Sequence, residues 1–305
     1  MLTLATAPLT YFQAIVIGLL QGFTELFPIS SLGHAVLVPE LLGWDSLVKG
    51  QSADNSFYLA FLVGLHCATA IALLIFYRRY WARVIGGFFS SVRYRRIDTA
   101  PERMAWLLIV GTIPVGIVGL VFEHSLRTLF AKPTAAAIFL TLNGLILFAG
   151  ERLRRNAATR ALVEEHAHHE DAAHDVGRDL ETLELQEGAF IGSAQILALF
   201  AGISRSGVTM VAGLLRGLDH EDAARLSFML ATPVIFAAGL YKLPDLLGHN
   251  GDHVRGQVLV GSLCAGIAAY LSVRFLTRWF ATRTLTPFAV YSVVFGVAMI
   301  AYTTL

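Results

Sequence analysis

The sequence is short of charge. Only 15% of its 305 residues are Asp, Glu, Lys or Arg, against roughly 25% in an ordinary soluble domain. With 55% hydrophobic residues and a mean hydropathy of +0.63, this deficit excludes water as the main solvent and points to lipid. Charge of one sign is also missing. The formal net charge is +1, which leaves no case for nucleic acid binding. Cysteine is nearly absent. Cys67 and Cys264 each sit inside an apolar run, so a disulfide framework and a cysteine metal site are both excluded; they read as small buried thiols. No basic cluster precedes the first apolar run, so a cleaved secretory leader is not expected.

What the chain does have is long apolar runs. A spanning helix needs about 20 mostly apolar residues. Six stretches approach or meet that length: 57–76, 104–122, 134–150, 222–243, 256–276 and 286–304. Two more, 8–43 and 188–216, are apolar but interrupted by polar, glycine-containing centres at Pro28–His34 and Gly202–Gly207. Irregular backbone at membrane depth is tolerated only where it is buried in protein or lines a wet cavity. Both stretches therefore read as re-entrant helix–loop–helix segments.

The two interrupted stretches match each other. A shift of 174 positions lays Gly18 on Gly192, Gln21 on Gln195, Ile29 on Ile203, Ser30 on Ser204 and Gly33 on Gly207. Each half then holds one re-entrant pair and three spans, and an odd number of spans inverts the second half relative to the first. The expected architecture is an all-α polytopic membrane protein built as an inverted repeat, with about six transmembrane helices and two re-entrant segments. Residues 1–155 form the first repeat, 156–187 a polar cytoplasmic linker and 188–305 the second repeat. Basic residues in loops set orientation. Arg78, Arg79, Arg83, Arg93, Arg95 and Arg96, then Arg152, Arg154 and Arg155, then Arg278 and Arg283 all fall on one side, assigned to the cytoplasm. The loops near 123–133 and 244–255 are poorer in Arg and Lys. Both termini then face outside. The first hairpin enters from outside and the second from the cytoplasm.

An ionisable group at the centre of a spanning helix costs about 2.5–3.5 kcal/mol on insertion scales, so its default reading is functional. The first hairpin carries Glu25 and His34, and the second carries Arg205. A Glu25–Arg205 pair that merely locks the halves is the plainer alternative. It leaves the surrounding hydroxyls unexplained: Thr24, Ser30, Ser31, Ser204, Ser206 and Thr209. Arg is a planar bidentate donor for phosphate oxygens, and Gly33, Gly202 and Gly207 admit close backbone approach. Helix N-termini after each loop favour an anion. His34 can transfer a proton near neutral pH, and Glu25 can act as a base or hold a cation. Phosphoryl transfer needs mainly positioning and charge neutralisation. Composition and spacing thus reach a phosphate-binding site in the membrane with hydrolytic potential.

At these residues a resemblance becomes specific. Gln21-Gly22-Phe23-Thr24-Glu25-Leu26-Phe27-Pro28-Ile29-Ser30-Ser31-Leu32-Gly33-His34 resembles the first motif of the bacterial undecaprenyl-diphosphate phosphatases of the bacitracin-resistance type. Gly202-Ile203-Ser204-Arg205-Ser206-Gly207-Val208-Thr209 resembles their second, P-G-x-S-R-S-x-x-T. The resemblance implies hydrolysis of undecaprenyl diphosphate to undecaprenyl phosphate and phosphate, recycling the lipid carrier of peptidoglycan synthesis in the bacterial inner membrane and conferring resistance to bacitracin. It implies a divalent cation, Mg2+ or Ca2+, and a site opening to the outer face. Carried over, Glu25 is a metal ligand or base, with Gln21 beside it on the metal. Ser31 and His34 are nucleophile or proton-transfer groups, and water remains a third candidate for the attack. Arg205 completes the catalytic set. Gln21, Ser30, Gly33, Ser204, Ser206, Gly207 and Thr209 contact the diphosphate. A homodimer is left open.

The chain departs from the pattern at Gln21, where many members carry Glu, which weakens any two-carboxylate metal site. It departs again at Ala201, where the second motif usually begins with Pro. The linker is longer than expected and holds Glu164, Glu165, His166, His168, His169, Glu170, Asp171, His174 and Asp175. A solvated loop is the first reading of that tract and metal binding the second. His66, inside a span, reads first as a hydrogen-bonded core histidine and second as a neighbour of the site. Trp81 and Trp279 read as interfacial anchors. The rival function is a transporter or flippase of a polyprenyl phosphate lipid, because broken helices in inverted repeats are also a transporter design.

Overall fold

The structure, a computed structural model, describes residues 9–44, 47, 57–122, 132–166, 178–247 and 254–305. Eleven α-helices occur among them, with no strand. The first hairpin is α1 (Tyr11–Thr24) and α2 (Ser31–Leu41). Then follow α3 (Phe57–Phe76), α4 (Arg78–Tyr94), α5 (Ala100–Val121) and α6 (Pro133–His166). The second hairpin is α7 (Leu185–Ser193), a 3-10 segment (Ala194–Leu199) and α8 (Arg205–Leu214). The chain ends with α9 (His220–Leu247), α10 (Arg255–Phe280) and α11 (Thr286–Thr304).

Local chemistry sets the boundaries. Thr10 and Gln13 form a capping box that starts α1, with Gln13 N–H donating to Thr10 Oγ1 and Thr10 N–H to Gln13 Oε1. Thr99 and Glu102 do the same for α5, with Pro101 in its first turn.

Five helices are long and apolar enough to cross a membrane: Ala100–Val121, Pro133–Asn156 of α6, His220–Leu240 of α9, Arg255–Phe280 and Thr286–Thr304. They coincide with five of the six expected spans. The sixth, 57–76, is helical as α3, but α4 continues from it after an 88° bend. The Arg-rich stretch after 76 is therefore a helix and not a loop. Its Val84, Gly87 and Ser91 are buried, and Gly87 rests against the backbone of Pro101 and Glu102. Its arginines stay exposed, as on an interfacial helix. Exposed apolar stripes such as Leu259, Leu263 and Ile267 on α10 would be a liability in water and are natural against lipid. The protein is an all-α, multi-pass membrane protein.

The halves pack reciprocally. Arm α1 of the first hairpin lies on α10 of the second half, and α7 of the second hairpin lies on α5 of the first. The repeat-related Gly18 and Gly192 stand at these two crossings. A Cβ on Gly18 would come 2.3 Å from Gly261 O, and one on Gly192 would come 2.1 Å from Gly111 O. Both contacts are backbone to backbone, so nothing flexible can give way. Gly192→Ala is expected to destabilise the protein by at least about 1–3 kcal/mol, seen as a lower thermal midpoint in detergent. Gly86→Ala, where nothing lies within 4 Å, should not lower it.

Candidate active site

Both hairpin loops are built from serine caps and meet at one point. Ser30 caps α2 by accepting from Gly33 N–H at 3.2 Å, and its Oγ also accepts from Gly202 N–H of the other loop at 3.1 Å. Ser30 has φ +69°, a left-handed conformation costly for a side-chain-bearing residue and held only by its surroundings. Ser204 caps α8 in the equivalent way, accepting from Gly207 N–H at 3.2 Å. Asn143 of α6 ties the loops together: its Nδ2 donates to Pro28 O at 3.0 Å and its Oδ1 accepts from Ser204 N–H at 2.9 Å. Gly202, at φ +113°, slides beneath α6 with a would-be Cβ 2.3 Å from Ala136 O; only glycine fits there.

The loops bring two charges together. Arg205 Nη2 donates to Glu25 Oε1 at 2.6 Å, and the two side chains are 14% and 5% exposed. Glu25 Oε2 accepts from Ser31 Oγ at 2.5 Å and from Gln21 Nε2 at 2.8 Å. His66 Nε2, reaching in from α3, lies 3.2 Å from the same oxygen. A buried carboxylate is retained only when paired and hydrogen-bonded, and Glu25 has both. Behind Glu25 the buried Gln21 Oε1 has no partner; nor have two buried atoms of the second hairpin, Arg205 Nη1 and Gln195 Oε1. Arg205 and Gln195 line a cavity of about 270 Å3 with Glu25, Ser30, Ser31, His66 and Ser204. Its remaining wall is apolar and includes Leu62, Val115, Leu199 and Ile235. One donor-rich end and one greasy wall suit a phosphate attached to a hydrocarbon.

Of the residues singled out from sequence, Glu25, Ser30, Ser31, Ser204 and Arg205 share this cavity. Gln21 stands behind Glu25 and holds it. Gly33 packs on Gly202, and Gly207 on Leu147. Ser206 donates to Phe27 O at 3.1 Å, and Thr209 Oγ1 donates to Arg205 O at 2.7 Å or Ser227 Oγ at 2.6 Å; these hydroxyls shape the loop without lining the cavity. His34 is not brought to it either. Its Nδ1 donates to Ser30 O at 2.7 Å, which leaves Nε2 to accept from Tyr291 O–H at 2.8 Å. The ring stacks between Tyr291 and Phe295 and is 1% exposed. Its visible work is to hold the strained Ser30 from behind.

Sequence reasoning gave no site role to Gln195 or Asn143 and placed His66 second. Each carried a signal. Gln195 is the repeat mate of Gln21, Asn143 is a lone amide in an apolar run, and His66 is an ionisable group inside a span.

A resident divalent cation does not fit the donor set. Glu25 is the sole carboxylate on the cavity wall, and its oxygens already face Arg205, Ser31, Gln21 and His66. A cation there would displace a guanidinium. Among the described residues no group of three or more His, Cys, Asp or Glu is arranged to hold a metal. The side chains of the tract from Glu164 to Asp175 lie outside the described residues.

Comparison with known proteins finds relatives along nearly the whole chain. The family model for the bacitracin resistance protein BacA matches residues 14–298. A protein of Mycolicibacterium paratuberculosis named undecaprenyl-diphosphatase is 57% identical over 97% of this chain and 98% of its own. One of Mycobacterium avium with the same name is 56% identical over the same shares. Undecaprenyl-diphosphatase 2 of Frankia alni is 55% identical over 94% of this chain and 96% of its own. Nearly the whole length is thus matched, and the chain belongs to the bacitracin resistance protein BacA family.

Proposed function

We propose that this protein hydrolyses undecaprenyl diphosphate to undecaprenyl phosphate and inorganic phosphate in the bacterial inner membrane, a reading supported by relatives named undecaprenyl-diphosphatase. One observation carries the reading. A hydroxyl, Ser31 Oγ, is hydrogen-bonded to a buried carboxylate in a cavity where a guanidinium nitrogen, Arg205 Nη1, has no partner. A nucleophile beside a base, opposite an unsatisfied phosphate donor, is the minimum set for phosphoryl transfer. Transport of the intact lipid would use the donor and leave the hydroxyl–carboxylate pair without a task.

The step balances on this chain's residues. Glu25 takes the Ser31 proton as Oγ attacks the terminal phosphorus. The bond from that phosphorus to the bridging oxygen breaks, and undecaprenyl phosphate leaves with the electron pair. Arg205 neutralises the equatorial oxygens, aided by the N-terminal dipole of α2, where Ser31 is the first residue. Glu25 hands that proton to the departing undecaprenyl phosphate and is a carboxylate again; it then takes a proton from the water that attacks the phosphoserine and returns it to Ser31 Oγ as the phosphorus–Oγ bond breaks, which frees phosphate and restores Ser31. The isoprenoid lies along the apolar wall. The divalent cation implied by the resemblance is assigned to the diphosphate as it arrives, because magnesium is commonly held by substrate phosphates plus few carboxylates. The bias of Arg toward one side supports a cytoplasmic face there, and the resemblance favours a cavity served from the outer face.

Mass analysis of the lipid after incubation with purified protein tests this reading. The lipid should lose one phosphate, and Ser31→Ala should lower the rate by about 10²–10⁴-fold without lowering the thermal midpoint. An unchanged lipid mass, or a Ser31→Ala enzyme within threefold of the parent, would remove Ser31 from the reaction.

A further inference from the structure

The strongest unused feature of the cavity is His66. It comes from α3, outside both motif loops, yet it lines the cavity and reaches Glu25. Its Nδ1 lies 2.7 Å from Leu62 O, one turn back in its own helix. Its Nε2 lies 3.2 Å from Glu25 Oε2. Both neighbours are acceptors, so the arrangement is satisfied only when both ring nitrogens carry hydrogen and both donate. The Leu62 carbonyl fixes the ring so that its far edge points at the carboxylate.

We infer that His66 is a positioning residue for the phosphatase reaction: anchored on Leu62 O, it holds the Glu25 carboxylate in the orientation that receives the Ser31 proton. Three elements then locate one carboxylate. Arg205 of α8 fixes Oε1, while His66 of α3 and Gln21 of α1 fix Oε2. Without the histidine, Oε2 loses the contact that His66 makes from α3. The carboxylate can then rotate toward Arg205 and away from Ser31. A misplacement of about 1 Å at such a site can cost about 100-fold in rate. The other buried histidine near the loops contrasts with it. His34 has one nitrogen donating and one accepting, both off the cavity wall. The histidine that touches the reacting machinery is therefore the one in the span and not the one in the motif. This assignment rests on the phosphatase reading above.

The test uses purified full-length protein in detergent, with undecaprenyl diphosphate as probe and phosphate release as readout. His66→Leu keeps the bulk and removes both donors. It should lower kcat by about 100-fold while KM stays within about threefold, because the substrate's own contacts with Arg205 persist. His66→Gln can still donate an amide N–H to Glu25 and should recover kcat to within about tenfold of the parent. In the double variant with Glu25→Gln, the leucine should add no further loss, since His66 acts through Glu25. A His66→Leu kcat within threefold of the parent would overturn the assignment, as would a rise in KM alone. Failure of a well-folded glutamine variant to exceed the leucine variant would also overturn it. If His66→Leu does not fold, His66→Gln decides: a loss beyond about 100-fold in a protein of parental thermal midpoint overturns it. Full activity of Glu25→Gln with a normal His66 effect would instead sink the role given to Glu25, so the two failures are separable.

Discussion

Arg205→Lys is expected to lower kcat/KM for phosphate release by about 1000-fold, since arginines that neutralise a transferring phosphoryl group contribute about 10³–10⁵ in rate. The geometry explains why lysine does not substitute. Arg205 uses Nη2 to hold Glu25 at 2.6 Å and keeps Nη1 free beside the cavity. One planar group thereby locates the base and receives the substrate at once. An ammonium is a single point of charge and cannot present two fixed donors in one plane. Lysine is preferable to alanine as a probe. Alanine leaves Glu25 buried with its nearest cation gone, and breaking a buried pair costs about 3–5 kcal/mol, which would mix unfolding with lost catalysis. A lysine variant within tenfold of the parent would mean that Arg205 is only the lock between the hairpins.

The second large effect is expected at Glu25. Glu25→Gln keeps the shape and can still accept from Ser31, but it cannot take a proton. The expected loss in kcat is about 10²–10⁴-fold, the range for a positioned general base. KM should move the other way or not at all. Neutralising the carboxylate releases the Arg205 guanidinium from its ion pair, so the diphosphate meets a less encumbered cation. A collapse in kcat with equal or tighter binding separates this residue from Arg205, whose replacement should weaken binding as well. If Glu25→Gln instead raised KM with kcat intact, the carboxylate would be serving substrate binding and not proton transfer.

Much of this site was legible in the sequence because lipid makes polar residues conspicuous. Glu25, Ser31 and Arg205 stand out against apolar neighbours, and the internal match at a shift of 174 positions pairs their loops. What the sequence could not supply was rotation about a helix axis. His34 follows Ser31 by one turn of α2, yet it faces Tyr291 on α11 while Ser31 faces Glu25. His66 carried the same signal as Glu25, an ionisable group in an apolar run. Only the packing of α3 on the first hairpin shows that it reaches the carboxylate. The helix α4 was hidden for a different reason. Its density of arginines favours a loop by charge, although the stretch is strongly amphipathic at the helical period, with Val84, Gly87 and Ser91 buried on one face. The unpartnered atoms on Arg205 and Gln195 belong to geometry alone.

The decisive measurement places hydrolysis against transport in one preparation. Purified protein is reconstituted in vesicles carrying undecaprenyl diphosphate, and phosphate release and lipid movement between leaflets are followed together. One phosphate released per lipid consumed, abolished by Glu25→Gln, is the result expected of a phosphatase whose base lies where the two hairpins meet. Lipid that crosses the bilayer with its diphosphate intact, equally fast with Glu25→Gln, would contradict it and make the protein a carrier.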